Sequence, residues 1–156
     1  MVSASSATHP GLKAVLVATL ALLLLTADAP WAAPPVHAAS MVVTTLADNT
    51  TTNGQCSLRE AITNAIDAVQ TFPDCPAGGN SDTITFALSG TITLTSQLPS
   101  IVGNFFFANA LEIDGTGQNV VISGNNASRH FNIAAVSKLT LKNLTLSNGR
   151  LAALSS

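Results

Sequence analysis

The sequence is short of charge, of histidine and of cysteine, and each shortage removes a class of chemistry. Only 9% of its 156 residues are charged, with 6 Lys and Arg against 8 Asp and Glu. That balance is too even to draw the chain onto nucleic acid or an anionic membrane surface, which select a surplus of cations. Of three histidines, His9 and His37 fall in the first 38 residues, so His130 stands alone beyond them. Multi-histidine metal sites are thereby excluded, and a Ser-His-Asp triad would rest on one residue with no Gly-x-Ser-x-Gly turn beside it. His130 adjoins Arg129 at the start of an expected strand and reads as an exposed edge side chain. Two cysteines, Cys56 and Cys75, make a poor zinc site. No Lys-Ser or Lys-Thr phosphate loop occurs. Gly115-Thr116-Gly117 has Val120 where a dinucleotide loop needs its third glycine, so it reads as a turn. No metal and no cofactor is expected.

What is present begins with an export signal. Lys13 precedes the apolar run Ala14 to Leu25, which breaks at Thr26 and Asp28. This is the order of a secretory signal, and the run is too short for a membrane span of about 20 residues. Pro30, Pro34 and Pro35 follow, and Val36-His37-Ala38 offers small residues for a cut after Ala38. Residues 1–38 are therefore expected to be a removed signal peptide, and the remainder a secreted or cell-surface protein that is not an integral membrane protein. In that compartment an even pair of cysteines favours a disulfide, Cys56 to Cys75. Closing a loop of about 20 residues stabilises by roughly 3 kcal/mol from chain entropy.

The rest is rich in Thr, Ser, Asn, Gly, Ile, Val and Leu, a mixture suited to strands and tight turns. Met41 to Leu46 reads as a strand and Asp48 to Gly54 as a polar turn. Next comes one helix: Ser57 as N-cap with Glu60 three residues on forms a capping box. Leu58, Ala61, Ile62, Ala65, Ile66 and Val69 share one face as far as Thr71-Phe72-Pro73. From Asp82 the pattern changes to short alternating runs: Thr83 to Phe86, Thr91 to Leu94, Leu111 to Ile113, Val120 to Ile122, Leu139 to Leu141 and Leu144 to Leu146. Each carries apolar residues at i and i+2, and each break holds turn formers. Ile92 to Ile113 and Ile122 to Leu144 suggest a repeat of about 20 residues, the range of solenoids. The reading is mostly β, with residues 39–81 a strand and disulfide-clamped helical cap and residues 82–149 about three β-solenoid coils of roughly 20 to 22 residues. A cap suits such a stack because an open coil end is a sticky edge.

Cys56-Ser57-Leu58-Arg59-Glu60-Ala61-Ile62, followed by Asn64-Ala65, resembles the opening of bacterial secreted proteins with a CSLREA domain. Asp82 to Phe86, Gly90 to Leu94, Ile113-Asp114-Gly115 and Leu144 to Gly149 resemble the coils that follow it in those proteins. The resemblance covers nearly all of the chain after residue 38. It implies an N-terminal cap and the first coils of a right-handed parallel β-helix, pectin-lyase-like in shape, in a secreted or surface protein. Two departures stand out. Gly103 to Ala110 holds the aromatic run Phe105-Phe106-Phe107, read as a bulged loop or a divergent coil that packs beneath the cap or across a coil. Relatives continue through further coils, whereas residues 150–156 read as a short, truncated tail.

Glu112 and Asp114 flank an inward Ile113 and so share one outer strand face. Paired outward carboxylates suit Ca²⁺ binding or acid and base work on a sugar, and parallel β-helices host polysaccharide lyases and hydrolases. The plainer reading, a solvated Glu112 and a turn at Asp114-Gly115, is preferred, because likeness of fold does not carry activity. Lys138, Thr140 and Lys142 form an outward basic stripe that reads as a soluble face, and the sequence leaves open whether Arg129, Lys138 or Lys142 shares the carboxylate side. The sequons at Asn49, Asn126 and Asn143 are read as coincidental. The function expected is a structural or adhesive module without catalysis of its own, offering coil faces to carbohydrate or surface proteins. The alternative is a carbohydrate-active enzyme or a non-functional truncated fragment of one.

Overall fold

The structure is a computed structural model and describes residues 38–103 and 110–151. The expected signal peptide falls outside those residues apart from Ala38, as do Phe105 to Phe107 and the tail beyond Leu151.

The described chain is mostly strand with one helix. Its elements are β1 (Ser40–Val43), α1 (Leu58–Asp67), β2 (Ser81–Phe86), β3 (Gly90–Thr93), β4 (Ala110–Asp114), β5 (Val120–Ser123), β6 (Lys138–Lys142) and β7 (Leu144–Ser147). They form two sheets, β1-β2-β4-β6 and β3-β5-β7, and every pairing is parallel. Parallel neighbours need a crossover between them. Here the crossover from β1 to β2 carries α1, and from β2 onward each strand of the first sheet is followed by a strand of the second, so the chain alternates between sheets.

Alternation inside the strands fixes which side chains face inward. In the first sheet Met41, Ile84, Ile113 and Leu141 are register partners in sequence, and the first three are fully buried. In the second, Ile92, Ile122 and Leu146 form the corresponding ladder; the first two are buried and Leu146 is 41% exposed. Each rung is covered by the next one. Outward positions carry Thr83, Thr85, Glu112 and Thr140, whose branched or polar side chains suit a solvated pleat.

The register corrects the repeat length read from the sequence. Ile84 pairs with Ile113 and Ile113 with Leu141, steps of 29 and 28 residues. Ile92 pairs with Ile122, a step of 30, and Ile122 with Leu146, a step of 24. Ile92 and Ile113 sit in different sheets and never pair, whereas Ile122 and Leu144 lie on the paired strands β5 and β7 but out of register, Leu144 facing Val120. Outside the two sheets Ile101 bridges Ile133 in parallel, with Ile101 N donating to Asn132 O at 2.8 Å. Corners are made by Asn residues in left-handed backbone, Asn125, Asn126, Asn143 and Asn148 at φ 50–55°. Gly115 sits where a Cβ would strike the Asn143 carbonyl oxygen of the next layer, so a side chain is excluded there.

The helix begins where the capping box places it. Ser57 Oγ accepts from Glu60 N at 3.2 Å while Glu60 Oε2 accepts from Ser57 N at 2.9 Å. Leu58, Ala61, Ile62 and Ala65 face the core against β1 and β2. It ends at Asp67, one turn before the expected stop, because Ala68 adopts left-handed backbone at φ 53°. Val69, expected on the apolar face, is 55% exposed. The return loop is caught by Asn64, whose amide donates to the Phe72, Cys75 and Pro76 carbonyls and accepts from Phe72 N at 2.8 Å. Cys56 and Cys75 are joined by a disulfide with Cα atoms 4.9 Å apart.

Candidate functional site

The outward face of the first sheet carries the candidate residues. Strand alternation puts Thr83, Glu112 and Thr140 on one rung row, and Ser81, Ala110 and Lys138 on the row beside it. Between these rows lies an open groove of about 210 Å³, lined by Ser81, Thr83, Glu112, Lys138 and Thr140 among others. Hydroxyls, one carboxylate and one ammonium give it donors and acceptors at the spacing of neighbouring strands.

Glu112 and Asp114 do lie on one strand face, and each has a partner from the following layer. Glu112 Oε2 meets Lys142 Nζ at 2.8 Å, with both side chains part-exposed at 31% and 49%. Bonding to Glu112, together with its charge, raises the Lys142 pKa above the ordinary ammonium value. Asp114 closes a turn instead: its Oδ1 accepts from Thr116 N at 2.9 Å, Thr116 Oγ1 at 2.7 Å and Asn143 Nδ2 at 3.1 Å. Those bonds, the Thr116 and Asn143 side chains foremost, hold the Asp114 carboxyl below the usual carboxylate range. It stays ionised at neutral pH and has no proton to give as a general acid. Lys138 faces the groove, whereas Arg129 bonds the Gln97 side chain elsewhere.

His130 is half-buried in the corner before the Ile133 bridge rather than on an open strand edge. Its Nε2 lies 2.8 Å from Ser147 O, so it braces β7.

A second polar constellation escaped the sequence reading and joins the cap to the strands. Asp48 and Arg59 form a bidentate pair, Nε to Oδ1 at 2.8 Å and Nη2 to Oδ2 at 2.9 Å, with side chains 1% and 14% exposed. Arg59 also donates to the Gln97 and Ser96 carbonyls at 2.9 Å each, and Asp48 Oδ2 accepts from Thr95 N and Oγ1 at 2.7 and 2.8 Å. Burial pushes the Asp48 pKa up, but the bonds from Arg59 and Thr95 and the Arg59 charge outweigh it, leaving the carboxyl below its ordinary value. The only sequence signal for this node was Arg59 inside the Cys56 to Ile62 heptapeptide. Asp82 is a buried carboxylate. It stands on the inward ladder and accepts from Ala39 N at 2.8 Å and Gly79 N at 2.9 Å, tying the cap exit to β1.

Among the described residues no group of three or more His, Cys, Asp and Glu could hold a metal ion, and no helix is long and apolar enough to cross a membrane. No protein family, no curated protein and no solved structure matches the chain.

Proposed function

We propose that the chain is the capped opening of a right-handed parallel β-helix of the CSLREA type, exported as a structural or adhesive module whose outer strand face binds carbohydrate without transforming it. The observation that carries this reading is the layering: a disulfide-tied helix over one end, then three successive in-register parallel layers in two sheets. The parallel bridge from Ile101 to Ile133 supports a third side where those two layers meet. A right-handed path is the course that nearly all parallel crossovers take. The disulfide suits an oxidising compartment, as the export signal does. Exposure of Leu146 at 41%, against 0% for its partner Ile122, fits a stack that takes further coils beyond β6 and β7.

Binding without catalysis is favoured because Asp114 is engaged in its turn and Glu112 in its ion pair. The second reading, a polysaccharide lyase or hydrolase, has one observation behind it: Glu112 and Lys138 face the same groove, a carboxylate beside a cation. Retention of the oxidised protein on immobilised neutral and acidic polysaccharides, with the supernatant assayed for reducing and unsaturated sugars, separates the two. Binding that Glu112→Ala and Lys138→Ala each weaken, with no sugar released, is expected. Sugar release that Glu112→Ala abolishes would establish the enzyme instead, and absence of any retention would remove carbohydrate from the proposal.

A further inference from the structure

The chain holds Asn-Gly twice, at Asn53-Gly54 and Asn148-Gly149, and the structure treats the two differently. Asparagine before glycine is the chemically labile dipeptide, because the following backbone nitrogen can reach the side-chain amide carbon when no Cβ obstructs it. Asn53 and Gly54 lie in the exposed loop before Cys56, and nothing lies within 4 Å of where a Gly54 Cβ would stand. Two further contacts point at the reaction itself. Gln55 N donates to Asn53 Oδ1 at 2.9 Å, folding the amide back over its own main chain and polarising its carbonyl. Gly54 N donates to Asp74 Oδ2 at 3.0 Å, so a carboxylate holds the proton that the attacking nitrogen must lose.

We propose that Asn53 is a built-in deamidation site, with Asp74 as the base and Gln55 N–H as the oxyanion donor. Asp74 takes the Gly54 amide proton as that nitrogen bonds to Asn53 Cγ, and the negative charge that develops on Oδ1 is met by Gln55 N–H. The carbon–nitrogen bond to Nδ2 then breaks, ammonia leaves carrying the proton back from Asp74, and a succinimide remains. Solvent water opens it to aspartate or isoaspartate at position 53. Asn148 is denied this course: its Nδ2 is tied to Ser123 Oγ at 3.2 Å, its carbonyl accepts from Asn126 N at 2.9 Å, and Gly149 packs on the His130 ring. The product matters to the cap. Asp74 Oδ2 also accepts from Asn53 N at 2.6 Å, so a new carboxylate and, in the isoaspartyl form, an extra main-chain methylene would arise where this one oxygen pins the loop to the Cys75 side of the disulfide.

The test is peptide mapping by mass spectrometry, with isoaspartyl detection, of the oxidised full-length protein aged in warm neutral buffer. Asn53 is expected to convert while Asn148 stays intact, and Asp74→Asn to slow Asn53 by about tenfold or more, within the range of a positioned base. Asp74→Glu, which keeps the carboxylate, should retain most of the rate. The opposite result is equally readable: if the loop bonds merely restrain the amide, Asp74→Asn frees it and deamidation accelerates. That outcome, or an Asn53 no faster than Asn148, overturns the proposal.

Discussion

Replacing Arg59 by methionine keeps the apolar stem and removes the guanidinium that joins helix, turn and β3 corner. Four hydrogen bonds are lost, two to Asp48 and two to the carbonyls of Gln97 and Ser96. Asp48, only 1% exposed, is left with its charge answered by Thr95 alone. Removing one partner of a partly buried pair costs about 1–3 kcal/mol, between the ~0.2–1 kcal/mol of an exposed pair and the larger loss at a fully dehydrated one. Against a total stability of about 5–15 kcal/mol for a small domain, that is a substantial share. Urea unfolding followed by far-ultraviolet circular dichroism measures it. The midpoint should fall with the slope unchanged. Arg59→Met combined with Asp48→Asn should lose less than the two single losses added, by about 1 kcal/mol or more, because the pair acts as one unit. A loss below about 1 kcal/mol for Arg59→Met, the size of a surface pair, would refute the claim that this node holds the cap to the strands.

Asp48 also predicts a pH dependence. Its folded pKa lies below the ordinary carboxylate value, so its contribution is fully present above about pH 4 and fades as pH falls through the folded value. The stability gap between the native protein and Asp48→Asn should therefore close in acid, and a gap that widens would contradict the assignment. Cys56→Ser with Cys75→Ser should lose about 3 kcal/mol in the same unfolding assay, from the entropy of the opened loop. Ile113→Ala, at a fully buried middle rung, should cost about 2–5 kcal/mol. Leu146→Ala, 41% exposed, should cost about 1 kcal/mol; equal losses at the two positions would deny that rungs are buried by the layer that follows.

The existence and place of the strands were legible because Ile and Thr alternate within them, and the helix start because Ser57 and Glu60 announce a capping box. The pairing distance was not legible. Each layer contributes two chemically similar strands, so Ile92 and Ile113 look like repeats although register joins Ile92 to Ile122. The helix end misled for a different reason: Val69 continues the apolar period, but left-handed Ala68 and the four bonds of Asn64 to the return loop stop the helix first. The shared outer face of Glu112 and Asp114 follows from strand period alone. Their partners, the ammonium of Lys142 and the amide of Asn143, come from the next layer, so they depend on register and lay beyond sequence reasoning. The Arg59 node had the same obstacle, since its acceptors at Ser96 and Gln97 are 37 and 38 residues away.

The stacking of parallel coils is the premise on which the groove, the cap and the binding face all depend. Cross-strand NOEs in a methyl-labelled sample test it most directly. The account predicts two separate ladders, Ile84 to Ile113 to Leu141 and Ile92 to Ile122 to Leu146. Contacts linking Ile92 with Ile113 as neighbouring strand partners, or the close Hα–Hα contacts of antiparallel pairs, would contradict it.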